Sequence, residues 1–210
     1  MTGFVWHDLM TTDLAHARTV AGELFGWNIR EDVVIANNEP IAMLVPFDAP
    51  GFGSHWVPYV DVADVDAFCD KTRAAGGTVC VPPSAHPNGG RFAFLMDTQR
   101  GFFSARSGFT PPAQTGFRDV LLADDVAAAH RFYQTLLGWT LDDSAIIQRP
   151  PIAPMSLWLP HVIVENVSIA SDRATRLGAT VLVPKCHVPE RGTYAVFADR
   201  ALGVFAAVER

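Results

Sequence analysis

Leu24-Phe25-Gly26-Trp27 returns 112 residues later as Leu136-Leu137-Gly138-Trp139. At that spacing Asp13 also meets Asp125, Ala15 meets Ala127 and Ala17 meets Ala129. Farther along the spacing falls to 102: Trp56 pairs with Trp158, Val60 with Val162, Gly76 with Gly178 and Pro82 with Pro184. Asp97 with Asp199, Gly101 with Gly203 and Phe103 with Phe205 continue the series. The drop from 112 to 102 puts a ten-residue deletion between Gly138 and Trp158. Gly, Pro, Trp and Asp kept in register hold turns and core positions, so the chain carries two copies of one fold.

Within the first copy, Phe4 to Met10 reads as a strand. Thr12 or Asp13 then caps a helix whose Leu14, Ala17, Ala21 and Leu24 share one face, and Gly26 stops it. Ile29 to Val45 holds short β-type runs broken by Asn37-Asn38 and Pro40, a strand meander. Trp56 to Val62 is the next strand, Asp64 caps a second helix through Val65 and Phe68, and Gly76-Gly77 ends it. Val79 to Val81, Phe92 to Met96 and Phe102 to Ala105 are further strands, with Pro82-Pro83, Asn88-Gly89-Gly90 and Gly101 as punctuation. The copies span residues 1–108 and 116–210, joined by a Pro-rich linker at 109–115. The deletion falls in the meander of the second copy, whose first half is abbreviated.

Composition narrows the function classes. The 210 residues carry a net charge of −6 and no Lys/Arg run, so no basic face exists to neutralise nucleic-acid phosphates. The apolar stretches are of strand length, which excludes a membrane span. The start, Met1-Thr2-Gly3-Phe4, has no basic region ahead of an apolar core, so the expectation is a cytoplasmic protein. Cys69, Cys80 and Cys186 have no metal-ligand spacing and read as reduced thiols.

A helix ending Leu-Phe-Gly-Trp, followed by Trp56-x-x-Tyr59-Val60, Gly76-Gly77, Val81-Pro82-Pro83, Gly89-Gly90-Arg91-Phe92-Ala93 and Asp97-x-x-x-Gly101, resembles the vicinal oxygen chelate superfamily. This is the glyoxalase, bleomycin-resistance and extradiol-dioxygenase group, and the chain is most similar to its tandem glyoxalase-like members. The resemblance implies an α+β fold: two glyoxalase-like domains, each a pair of βαβββ-type units forming a curved half-barrel sheet with helices outside. It implies a small-molecule ligand in the concave cleft, and isomerase, dioxygenase, epimerase, thiol-transferase or drug-binding roles. A monomer or a homodimer fits, because the tandem supplies a pairing that single-domain relatives obtain by dimerising.

In the resembled group a divalent metal is held by His, Gln or Glu from the first and last strands of each half-domain. Register on the helix Asp and the Gly puts those positions at Trp6, Val57, Ala105 and within residues 41–46, then at Arg118, Leu159 and Ala207. None of these side chains suits a catalytic metal. No cofactor is therefore expected. The alternative is a divalent-metal lyase, isomerase or dioxygenase with unorthodox ligands such as His7, His55 or His161. A one-residue slip turns His7 to the helix side of its strand, where a buried histidine bonded to backbone is the plainer reading.

If Trp6 faces the cleft, alternation brings Asp8 and Met10 with it, and Val57, Tyr59 and Asp61 on the neighbouring element. Asp8 and Tyr59 are candidate proton-transfer groups, beside a Trp6 that suits a flat ligand; the plainer reading is a local hydrogen-bond network. In the second copy the same parity gives Arg118, Leu159, His161 and Ile163. Arg118 and His161 are candidate ligand contacts for an anion, or Arg118 pairs with a carboxylate of the first copy. His86 and His187 sit in loops that the resemblance places over the cleft mouth, and His86 is the candidate acid/base of the two. Arg91 either braces its loop or touches ligand.

The reading is a metal-independent glyoxalase-like protein binding a small apolar or aromatic molecule in the cleft, with an anionic ligand as one option. It is either a binder or resistance protein, or an enzyme using Asp8, Tyr59 or His86. A further alternative makes the second domain purely structural.

Overall fold

The computed structural model describes residues 3–86, 89–110, 112–113, 116–139, 145–153 and 155–209. The first repeat contains β1 (Trp6–Thr11), α1 (Leu14–Phe25), β2 (Asn28–Arg30), β3 (Val33–Ala36), β4 (Glu39–Pro46), β5 (His55–Asp61), α2 (Val65–Ala74), β6 (Thr78–Ala85), β7 (Arg91–Met96) and β8 (Phe102–Ser107). The second contains β9 (Phe117–Ala123), α3 (Val126–Leu137), β10 (Ile146–Gln148), β11 (Leu157–Val164), α4 (Val167–Arg176), β12 (Thr180–Val188), β13 (Gly192–Asp199) and β14 (Gly203–Glu209). Strands β1–β8 belong to one sheet and β9–β14 to the other, an α+β fold.

Local chemistry sets the helix ends. Asp13 accepts from the His16 amide at 3.0 Å, Asp125 from that of Ala128 at 2.9 Å, Asp64 from that of Ala67 at 3.0 Å and Asn166 from that of Ile169 at 3.0 Å. Each side-chain oxygen satisfies an amide that the first turn leaves without a partner. Gly26 (φ 70°) and Gly138 (φ 67°) close α1 and α3 in the left-handed region, their amides donating to the carbonyls of Gly22 and Gln134. Of Thr12 and Asp13, the cap is Asp13.

The meander resolves into hairpins. Asn37 (φ 51°) and Asn38 (φ 65°) turn β3 into β4, and Glu31 (φ 47°) with Asp32 (φ 69°) turns β2 into β3. Two successive left-handed residues are what a tight hairpin turn needs. Arg18 on α1 pins the less suited of these turns by its contact with Asp32 at 2.6 Å. Pro82-Pro83 does not punctuate as the sequence suggested. β6 runs through both prolines at a sheet edge, with register shifts against β7 around Val81, where a residue without N–H is tolerated.

The chain forms two compact units, each drawing on both repeats. Unit 1 comprises residues up to Trp6, Val57–Pro111 and Asp119–Trp158. Its strands run β5-β8-β7-β6, with β5 and β8 parallel, and β10 pairs in parallel with β9. Its core gathers Val60, Phe68, Leu95 and Phe103 of the first repeat with Leu121, Phe132, Tyr133 and Trp158 of the second. Unit 2 comprises His7–Trp56, Pro112–Arg118 and Leu159–Arg210, with β2-β3-β4-β1 and β11-β14-β13-β12 runs. Its core sets Leu9, Val20, Leu24 and Ile41 against Val162, Ala170, Phe197 and Phe205.

Three stretches thus follow one strand-helix-strands plan in which the last strand lies parallel to the first. The fourth, β9-α3-β10, is shorter. β10 takes the place beside β9 that β4 takes beside β1, so the deletion removes the counterpart of the β2–β3 hairpin.

Candidate functional site

Alternation sorts each strand into a core side and an open side. On β8, Phe103 and Ala105 are in the unit 1 core, which leaves Ser104 and Arg106 on the other face. On β5, Val60 is in that core, and Tyr59 and Asp61 stand in register with Ser104 and Arg106. The expectation that the last-strand ligand position falls at Ala105 is therefore corrected: that side chain is inside the core, as is Ala207 of the second repeat. The five-residue turn Asp97–Gly101 hands the chain to β8 with the opposite parity, and one residue of slip exchanges every side chain between faces.

The correction brings forward a residue missed in the sequence. Arg106 is only 4% exposed, with its guanidinium carbon 3.5 Å from the centre of the Phe109 ring and 5.6 Å from that of Trp6. A buried guanidinium against two aromatic faces is a strong local cation in a water-poor setting. Trp6 meets Phe109 edge-on at 6.1 Å, Tyr59 meets Phe94 at 6.2 Å, and Phe94 meets Phe92 at 5.5 Å, so the face around the cation is aromatic. Counting alternation onward from Phe103 on the last strand, as a core residue, would have found Arg106.

Arg106 also acts on its titratable neighbours. His86, half-buried and 5.6 Å from the Phe92 ring, has its pKa lowered by desolvation first and by the Arg106 charge second. Partial desolvation lifts the Asp61 carboxyl, opposed by Arg106. Both effects favour the neutral imidazole of His86, the form that accepts a proton.

The other candidate residues distribute as follows. Trp6, Val57 and Tyr59 are buried in unit 1. Asp8 is buried and Met10 half-buried on β1 within unit 2, on the same face of that strand as Trp6. Arg91 donates to both carboxylate oxygens of Asp66 on α2, at 2.9 and 3.0 Å. Arg118 is exposed and its Nη1 donates to the Arg191 carbonyl at 3.3 Å, so it is not the cation on an apolar face that the sequence suggested. His161 is buried, its Nδ1 3.1 Å from the Leu159 carbonyl and its ring 5.8 Å from Tyr194.

The metal alternative fares as follows. His7 is fully buried, stacked on Phe117 at 4.1 Å. His55 Nδ1 is 2.8 Å from the Gly53 carbonyl. Among the described residues no three His, Cys, Asp or Glu side chains converge to hold a metal ion. No helix among the described residues is long and apolar enough to cross a membrane.

Unit 2 holds a cleft of about 990 Å³ where the end of α1, the β2–β3 hairpin and the start of β9 meet. Trp27, Arg30 and Arg118 line it.

In overall structure the chain is similar to the Mn(II)-bound glyoxalase from Novosphingobium aromaticivorans, with a TM-score of 0.72 at 15% identity over 99% of this chain and 82% of that one. The 2,3-dioxygenase LapB from a Pseudomonas species gives 0.67 at 13% identity, over 100% and 93%. By sequence, the candidate glyoxylase CFP32 of Mycobacterium tuberculosis is 36% identical over 111 residues. That match takes in 48% of this chain and 42% of CFP32, so the chain spans less than half of that relative's length. The anthracycline biosynthesis protein DauV of a Streptomyces species is 23% identical over 97% of this chain and 92% of its own. The family model for the Glyoxalase/Bleomycin resistance protein/Dioxygenase superfamily matches residues 4–110, over half of the chain. Together with the repeated strand-helix-strands plan, that match places the chain in the Glyoxalase/Bleomycin resistance protein/Dioxygenase superfamily.

Proposed function

We propose that this chain binds a small aromatic anion on the Arg106 face of unit 1, without a resident metal. The observation that carries the reading is the Phe109 ring lying 3.5 Å over a guanidinium that is 4% exposed. Phe109 occupies the place that a flat ligand would take, and a ligand bearing a carboxylate or phenolate adds charge to the stack where water is scarce. Trp6, Phe92 and Phe94 supply apolar walls. The name of the relative DauV, taken from the biosynthesis of anthracyclines, supports a ligand of aromatic type.

The test is thermal unfolding with and without an aromatic carboxylate such as 1-hydroxy-2-naphthoate, in chelator-treated buffer. A ligand present at about a hundred times its Kd stabilises the fold by about 2.7 kcal/mol. Stabilisation is expected to persist in chelator and to vanish in Arg106→Gln. A near-stoichiometric transition metal in the purified protein, or stabilisation indifferent to Arg106→Gln, overturns the proposal.

A second reading, turnover, is favoured by His86. A histidine kept neutral beside a buried cation can take a proton from a bound phenol, whose anion Arg106 would then stabilise. Comparing release of product from candidate phenols by wild type and His86→Gln separates enzyme from binder.

A further inference from the structure

The cleft belongs to unit 2 and the Arg106 face to unit 1, and the cleft's lining is of a different chemical kind. It has an aromatic plane in the half-buried Trp27, two cations in Arg30 and Arg118, and amides from Asn28, Asn37 and Asn38. No Asp or Glu among the described residues lines it. Among the described residues neither arginine has a carboxylate partner; Arg118 Nη1 donates to the Arg191 carbonyl. Elsewhere in unit 2, Arg18 is held by Asp32 at 2.6 Å and Arg200 by Asp13 at 3.2 Å. Among the described residues, then, two arginines without a carboxylate partner face one opening of about 990 Å³, a site of positive charge in an acidic protein.

The cleft also depends on a part of the fold that is not duplicated. Its walls include the Asn37-Asn38 turn between β3 and β4, and Arg30 and Ile35 of the β2–β3 hairpin, whose counterpart the deletion removes from β9-α3-β10. The corresponding tryptophan of the second repeat, Trp139, is 6% exposed and packs in the core against Phe4 and Tyr133. Trp27 instead keeps part of its ring at the cleft, 5.7 Å from Phe117 by ring centres. The end of α1 at Gly26 brings a partial negative charge near the cleft, about half an elementary charge, which two full cations outweigh.

We infer that this cleft is a binding site for a phosphorylated planar heterocycle, the chemical class of mononucleotides, including flavin mononucleotide. Stacking on Trp27 holds a ring of any such kind, the arginines take the phosphate, and the asparagine amides offer both donors and acceptors to a heterocycle edge. A volume of this order accommodates a ligand of that size.

The test follows the indole N–H signal of Trp27 by NMR, assigned through its loss in Trp27→Phe, during titration of the full chain. The probes are AMP, flavin mononucleotide, adenosine and inorganic phosphate. A saturable shift with one of the two nucleotides is expected, with Arg30→Gln and Arg118→Gln each weakening it about tenfold. Adenosine and phosphate should bind far more weakly. Arg106→Gln, in the other unit, should leave this titration unchanged, so the two proposed sites stand or fall separately. A stationary Trp27 signal with both nucleotides, a shift indifferent to both arginine variants, or inorganic phosphate binding as tightly as the nucleotides overturns the assignment.

Discussion

The Tyr133 hydroxyl donates to Asp97 Oδ2 at 2.9 Å, joining α3 of the second repeat to the β7–β8 turn of the first. Trp158 Nε1 in turn donates to the Tyr133 oxygen at 2.8 Å, and Asp97 Oδ1 accepts from the amides of Gln99 and Gly101 at 2.7 and 2.8 Å. Gln99 adds two bonds to the backbone of Asp125, at the head of α3. The reciprocal arrangement exists in unit 2. There Asp199 Oδ1 accepts from the amides of Ala201 and Leu202, His16 Nε2 lies 3.3 Å from Asp199 Oδ2, and Arg200 reaches Asp13 at the head of α1. In each unit the aspartate turn of one repeat is fastened to the first helix of the other.

Removing the Tyr133 hydroxyl therefore leaves a buried carboxyl oxygen and the Trp158 donor without their partner. Tyr133→Phe should cost about 1–3 kcal/mol, read as a lower denaturation midpoint at unchanged slope. A midpoint equal to wild type would show the network to be energetically idle.

Asp97 should also leave a signature in pH. Burial raises its carboxyl above the ordinary value, with the two backbone amides and the Tyr133 hydroxyl pulling it back down. A group whose folded pKa is raised adds stability below its unfolded pKa, and that contribution is lost as pH climbs through the folded value. Stability measured from about pH 4 upward should fall more steeply in wild type than in Asp97→Asn. Parallel curves would contradict the assignment.

His86 offers a direct view of the Arg106 charge. Its pKa lies below the usual histidine value through desolvation and, secondarily, through Arg106. In Arg106→Gln its ring signals should titrate at a higher pH than in wild type, and still below an exposed histidine because the desolvation remains. An unmoved titration would separate His86 from that cation.

Gly89 and Gly90 separate strain from collision. Both have left-handed backbone, with φ 90° and 75°, but a Cβ on Gly89 meets open space while one on Gly90 falls 1.8 Å from the Ser107 carbonyl oxygen. Gly89→Ala should cost about 1–2 kcal/mol for the backbone alone. Gly90→Ala should cost at least about 2 kcal/mol more, since β7 and β8 must part to admit it. Equal losses in the two variants would show that the strands yield freely.

The repeat was legible because it is written in residues that hold turns. The paired Asp97 and Asp199 perform one task, gathering the amides of a hairpin turn, and the paired Gly26 and Gly138 close equivalent helices. Strand parity beyond a turn was not legible. Nothing in Asp97-Thr-Gln-Arg-Gly101 states which face Phe102 resumes on, so Ala105 was assigned the open side and Arg106 went unnoticed. The cleft around Trp27 was hidden for another reason: it assembles from segments about 90 and 140 residues apart, which no local pattern announces.

Each core takes side chains from the two repeats in near-equal measure. A chain severed between residues 108 and 116 would therefore yield fragments that each bare two incomplete apolar faces, and that recover their structure only by associating with each other. Held on one polypeptide by a connection of about seven residues, the partners meet at an effective concentration in the millimolar range or above, and dilution cannot separate them. Neither repeat can be lost as a spare copy, because each carries half of the other's interior.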